Sequence, residues 1–152
     1  MSEMIGNFFF LNHSFKLAVP ILEKVIAEHP THPKARKKLV IAYVETGRLR
    51  DAYALYSDII AEDPSIITST NPDEEDCPCP VLIENILESG RTFDDPANRC
   101  LVLAIYSSYC CLADALVYFT RYLQSYPNDQ RATAVIQQLT KAGVNHAIPQ
   151  SE

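Results

Sequence analysis

An all-α chain of stacked helical hairpins is predicted by three observations. Residues recur at a fixed interval: Ala18 and Ala52, and also Pro30 and Pro64, stand 34 positions apart. Apolar stripes with helical period surround the alanines. Leu49, Ala52, Tyr53, Tyr56, Ile59 and Ile60 form one stripe, and Leu112, Ala115, Leu116, Phe119, Tyr122 and Leu123 form another with the same spacing. Both follow the i, i+3, i+4, i+7 rule for one buried helix face. Prolines punctuate the stripes at the places where helices start or stop. A unit of this length cannot bury its apolar face alone, so neighbouring units must stack.

The first unit covers residues 1–32. It reads Ile5-Gly6 and Phe9, then Ala18, Leu22 and Pro30, with His13 in the turn between its two helices. Its first helix is short. The second unit, 33–66, has Pro33 at the helix start, Leu39-Val40 and Tyr43, Gly47 in the turn, then Ala52, Tyr56 and Pro64. Small residues at 18, 52 and 115 suit the close crossing of two helices, where a larger side chain would overpack. Residues 67–95 interrupt the rhythm, because Ala52 and Ala115 stand 63 positions apart, 29 more than one interval. The interruption holds an acidic loop (Asn71 to Asp76), then Cys77-Pro78-Cys79-Pro80, whose two prolines argue against helix there. One amphipathic helix of about ten residues is expected from Val81 to Gly90. The third unit, 96–129, reads Val102-Leu103, Tyr106, Ala115, Phe119 and Pro127, with Cys110 in the turn and Asp95 placed to cap the helix that starts at Pro96. A polar-backed helix over 130–142 is expected to cap the stack and stop at Gly143, leaving 144–152 as a loose tail.

These units resemble the tetratricopeptide repeat family, whose pattern is a large residue, Leu-Gly and Tyr in the first helix, then Ala, Phe and a closing Pro. The second unit matches best, with Leu39-Val40, Tyr43, Gly47, Ala52, Tyr56 and Pro64, although Arg36 replaces the usual bulky apolar residue. The resemblance covers about three units plus the inserted and capping helices. It implies a right-handed superhelix of antiparallel helix pairs, one domain over 1–143, and a concave groove that holds a peptide or helix of a partner protein. The first helix of each pair would line that groove. On this reading the partner-binding residues are Asn7 and Phe10 in the first unit, Lys34, Lys37, Ile41 and Val44 in the second, and Cys100, Ala104 and Ser107 in the third. A carboxylate clamp fits poorly, since Glu3 and Ala104 stand where basic or amide groups are wanted.

Composition narrows the remaining classes. Hydrophobic residues make up 47% and charged residues 21% of the 152, enough apolar material for a core. The net charge of −6 and the absence of a basic stripe argue against nucleic acid, the nearest candidate being Lys34-Ala35-Arg36-Lys37-Lys38. No apolar run is long enough to span a bilayer, and no signal peptide opens the chain, so a cytoplasmic protein is expected. Five cysteines, an odd number, suit a reducing compartment. Cys77 and Cys79 are the only metal or redox candidates, but no second ligand pair with suitable spacing accompanies them, and His13, His29, His32 and His146 are scattered. Neither a phosphate-cradling loop nor a nucleophile–base pairing is legible. The expectation is a non-enzymatic interaction module without cofactor. Alternatives are a homo-oligomeric subunit, prompted by Phe8, Phe9, Phe10 and Phe15 beside a weak first unit, and a small secretion-type chaperone.

Overall fold

Helices alone make up the regular structure in the described residues, 2–147, of the computed structural model. Two compact units divide the chain, Met1–Ile59 and Ile60–Glu152.

In the first unit, α1 (Ser2–Leu11) and α2 (Phe15–Glu28) form a hairpin, α3 (Pro33–Glu45) packs on α2, and α4 (Leu49–Glu62) follows. Two turns at equivalent positions close by the same device. His13 and Gly47 take φ of 57° and 79°. The next amide then reaches back to the helix: Ser14 N donates to Phe9 O at 2.8 Å, and Arg48 N donates to Tyr43 O at 2.8 Å. These are left-handed helix C-caps, which glycine adopts freely and histidine adopts under strain. The spacing therefore located both turns, and the first one carries a strained residue.

Alanines 18 and 52 are fully buried. Gly6 serves the same close approach, since a Cβ there would meet Ile21 and Leu22 side-chain atoms at 3.2 Å. Helix α2 runs through Pro20, whose ring lies on the exposed side. At the start of α3, His32 Nδ1 accepts from Ala35 N at 3.2 Å, while its Nε2 faces Glu3 Oε1 at 3.0 Å. One ring thus caps α3 and ties it to α1.

The second unit contains α5 (Ser65–Thr68), α6 (Cys79–Glu88), α7 (Pro96–Ser107), α8 (Leu112–Ser125) and α9 (Gln130–Ala147). Here α6 packs on α7, α7 on α8, and α8 on α9. Asp95 caps α7 as expected, accepting from Ala97 N at 2.9 Å. Its other oxygen accepts from the Tyr126 hydroxyl at the end of α8. That bond and the Ala97 amide hold the carboxyl below the usual aspartate range. Tyr122 donates to Asp129 Oδ2 at 2.8 Å, and Asp129 Oδ1 caps α9 through Ala132 N at 3.1 Å. Tyr122 of α8 and Tyr126 just past its end therefore brace the caps of the helices on either side in sequence.

Three expectations for this unit are corrected. The inserted helix begins at Cys79, not after Pro80, because a proline in the first turn loses no hydrogen bond. A second, four-residue helix, α5, precedes it. Gly143 does not stop the capping helix. Helix α9 continues to Ala147, and a Cβ at 143 would meet Leu112 Cδ2 at 3.2 Å. This glycine thus allows close helix approach. Residues 144–147 of the expected tail are helical, and 148–152 lie outside the described residues. The third turn also closes differently. Cys110 has no left-handed φ, and Cys111 N donates to Ser107 O at 2.6 Å.

Candidate interaction surfaces

The residues expected to line a groove are mostly withdrawn from solvent. In α1, Phe10 is 2% exposed and meets Phe15 edge to face at 5.6 Å. Asn7 is half-buried, and its side-chain oxygen accepts from Lys38 Nζ at 2.7 Å. In α3, Lys37, Ile41 and Val44 are 8%, 2% and 4% exposed, while Lys34 stays on the surface. In α7, Ala104 and Ser107 are buried and Cys100 is half-buried. The physical reason is that the second halves of α3 and α7 are apolar around their circumference. Leu39 to Val44 and Leu101 to Tyr106 are buried without interruption. A helix with no polar face is enclosed on every side. On α7, part of the cover is α6, which buries Cys79, Leu82 and Ile86.

Cys79 is buried at the start of α6 and Cys77 is half-buried before it. Among the described residues, no group of three or more His, Cys, Asp or Glu side chains is placed to hold a metal ion. Cys110 lies near Cys77 and Cys111. Desolvation, then those two thiols and Asp114, push its thiol up to about 11.

The second unit also holds a cavity of about 620 Å³. Its lining includes Ser65, Thr70, Ser108, Cys111, Gln138 and Lys141. Ser108 Oγ already donates to Ala104 O at 2.8 Å. Thr70 Oγ1 is buried with no hydrogen-bond partner among the described residues.

A different surface in the first unit combines charge with open apolar area. Side chains from α2, α3 and α4 form a groove of about 460 Å³. Ile26, Leu39 and Leu55 supply its apolar floor, and Glu23, Asp51 and Asp58 supply an acidic rim. The rim is held in place by a polar network. Tyr43 donates to Glu23 Oε2 at 2.7 Å, Arg48 reaches the same oxygen at 3.5 Å, and Arg48 Nε meets Asp51 Oδ2 at 2.8 Å. The Arg48 guanidinium also lies 4.4 Å from the Tyr43 ring centre. Burial, then the Glu23 carboxylate, raises the Tyr43 hydroxyl well above the ordinary tyrosine range, so it stays protonated and donating. Three carboxylates against one guanidinium leave the rim negative. Sequence reasoning missed this groove because its residues come from three helices, and only their arrangement makes a pattern.

In the described residues no helix is long and apolar enough to cross a membrane. Residues 9–66 match the family model described as tetratricopeptide repeat. No curated protein and no solved structure matches the chain.

Proposed function

We propose, from the match of residues 9–66 to the tetratricopeptide repeat family model, that the protein is a non-enzymatic adaptor that holds a segment of a partner protein. The observation that carries this reading is the acid-rimmed apolar groove of α2, α3 and α4. A partner suited to it is a basic amphipathic segment, with an apolar side chain over Leu55 and Ile26 and lysine or arginine facing Asp51 and Asp58. Opposite charge at a rim steers encounter and selects partners, and the apolar floor supplies the holding energy. The concave slot expected from the repeats is the less favoured route, because Phe10, Lys37, Ile41 and Val44 are buried and would have to be uncovered first.

Affinity capture from the native host tests this, using the wild type beside an Asp58→Lys, Leu55→Gln variant. Asp58 is exposed and Leu55 half-buried, so the fold should persist by circular dichroism. A partner held by the wild type and released by the variant is the expected result. An identical set of proteins on both would refute the groove assignment. Loss of the partner instead with Lys34→Glu would return the site to the rim of the slot.

A further inference from the structure

The outward face of α1 has no polar side. Met4, Ile5, Phe8 and Leu11 are 71%, 47%, 61% and 51% exposed, and they fall on one side of the helix, opposite Gly6 and Phe10. Gly6 sits against Ile21 and Leu22 of α2. Leu17, one turn before Ile21 and 56% exposed, therefore continues the patch onto α2. Half-buried Phe9 bridges the two, with its ring 5.7 Å from that of Phe8. Glu3, the one acidic residue in the first turn of α1, points away to His32. A surface helix normally reserves this side for charge.

We propose that this face is covered by a second copy of the chain, through a two-fold contact of α1 and the adjacent edge of α2. Two properties of the patch favour a copy of itself over other occupants. A two-fold interface must be self-complementary, and an uncharged apolar stripe meets its own image without like-charge repulsion. The area also suffices. At about 200 Å² for a fully exposed side chain of this size, the five exposed residues present on the order of 550 Å² per copy. Two copies then remove about 1,100 Å² from water, just above the ~1,000 Å² that a specific interface needs. An isolated patch of this size lies near the upper end of what a monomer exposes. The groove of α2, α3 and α4 takes no part in this contact, so the inference stands apart from the adaptor reading.

Sedimentation velocity from about 1 to about 100 µM tests it, because mass action makes the dimer fraction rise with concentration. The wild type should approach twice the chain mass of 17.1 kDa. Phe8→Glu and, separately, Met4→Lys should each weaken association by about tenfold or more, while the circular dichroism spectrum stays unchanged. Val117→Glu places the same charge on an exposed apolar residue of α8 (49% exposed) and should still dimerise. A wild type that stays at one chain mass throughout would overturn the proposal. So would α1 variants that still dimerise, or a Val117→Glu variant that dissociates equally.

Discussion

Replacing Ile41 with alanine measures whether the expected slot is filled. Ile41 lies in α3 at 2% exposure. The substitution removes three carbons, worth about 2.4 kcal/mol of transfer at ~0.8 kcal/mol each. A cavity that fails to collapse adds about 1–2 kcal/mol at ~24 cal/mol per Å³. Alanine returns about 0.4 kcal/mol through its higher helix propensity. The net expectation is destabilisation of about 2–4 kcal/mol. Val117→Ala, starting from 49% exposure in α8, should change stability by no more than about 0.5 kcal/mol. Urea unfolding followed by circular dichroism reads both, as a shift in midpoint at unchanged slope. If Ile41→Ala costs under about 1 kcal/mol, Ile41 sits on an open face and the enclosed description of α3 is wrong.

Three further outcomes follow from single sites. His13 holds φ at 57°, so His13→Gly should relieve backbone strain and raise the melting temperature by about 2–4 °C, whereas Gly47→Ala, at φ 79° with open space around it, should lower it by a similar amount. Thr70→Val removes a buried hydroxyl that has no partner among the described residues while keeping its shape, and denaturant titration should show stability unchanged or raised by about 1 kcal/mol. With its thiol pushed up to about 11, Cys110 should react with iodoacetamide at pH 8 about a hundredfold more slowly than an ordinary thiol, as peptide mass mapping would show. The sign is that of a raised pKa: the fold favours the protonated thiol, and the associated stability is complete below the ordinary cysteine range and lost as pH climbs through about 11.

The parts of this fold that were legible depend on local chemistry. Prolines 33 and 96 open helices, and prolines 30, 64 and 127 lie just past helix ends, because a missing amide acts within one turn of the chain. The turn at Gly47 was readable for the same reason. Gly143 misled because a glycine's role depends on what lies opposite it, here Leu112 on α8. Pro80 misled because proline is forbidden inside a helix yet welcome in its first turn. Burial of the slot carried a signal that repeat logic overrode. Leu39 to Val44 and Leu101 to Tyr106 are six-residue runs without a polar break, and such runs belong to enclosed helices. The aromatic cluster near the first unit split in two. Phe10 and Phe15 entered the core, Phe8 stayed outside, and only three-dimensional packing separates those fates.

The burial of α3 also bears on where a partner gains most. Uncovering Phe10, Ile41 and Val44 to admit a peptide would forfeit about 1.5–3 kcal/mol for each side chain, or roughly 5–9 kcal/mol together. That amounts to about four to six powers of ten in Kd before any new contact forms. A ligand entering there must restore equal apolar burial and add more. The groove of α2, α3 and α4 imposes no such cost, since Leu55 and Ile26 are already half-exposed and Asp58 is in water. Asp58 also remains hydrated until a cation replaces the water, which makes binding there sensitive to salt. Weakening of partner capture as ionic strength rises is therefore the mark of the acidic groove, and capture indifferent to salt would point to the apolar interior.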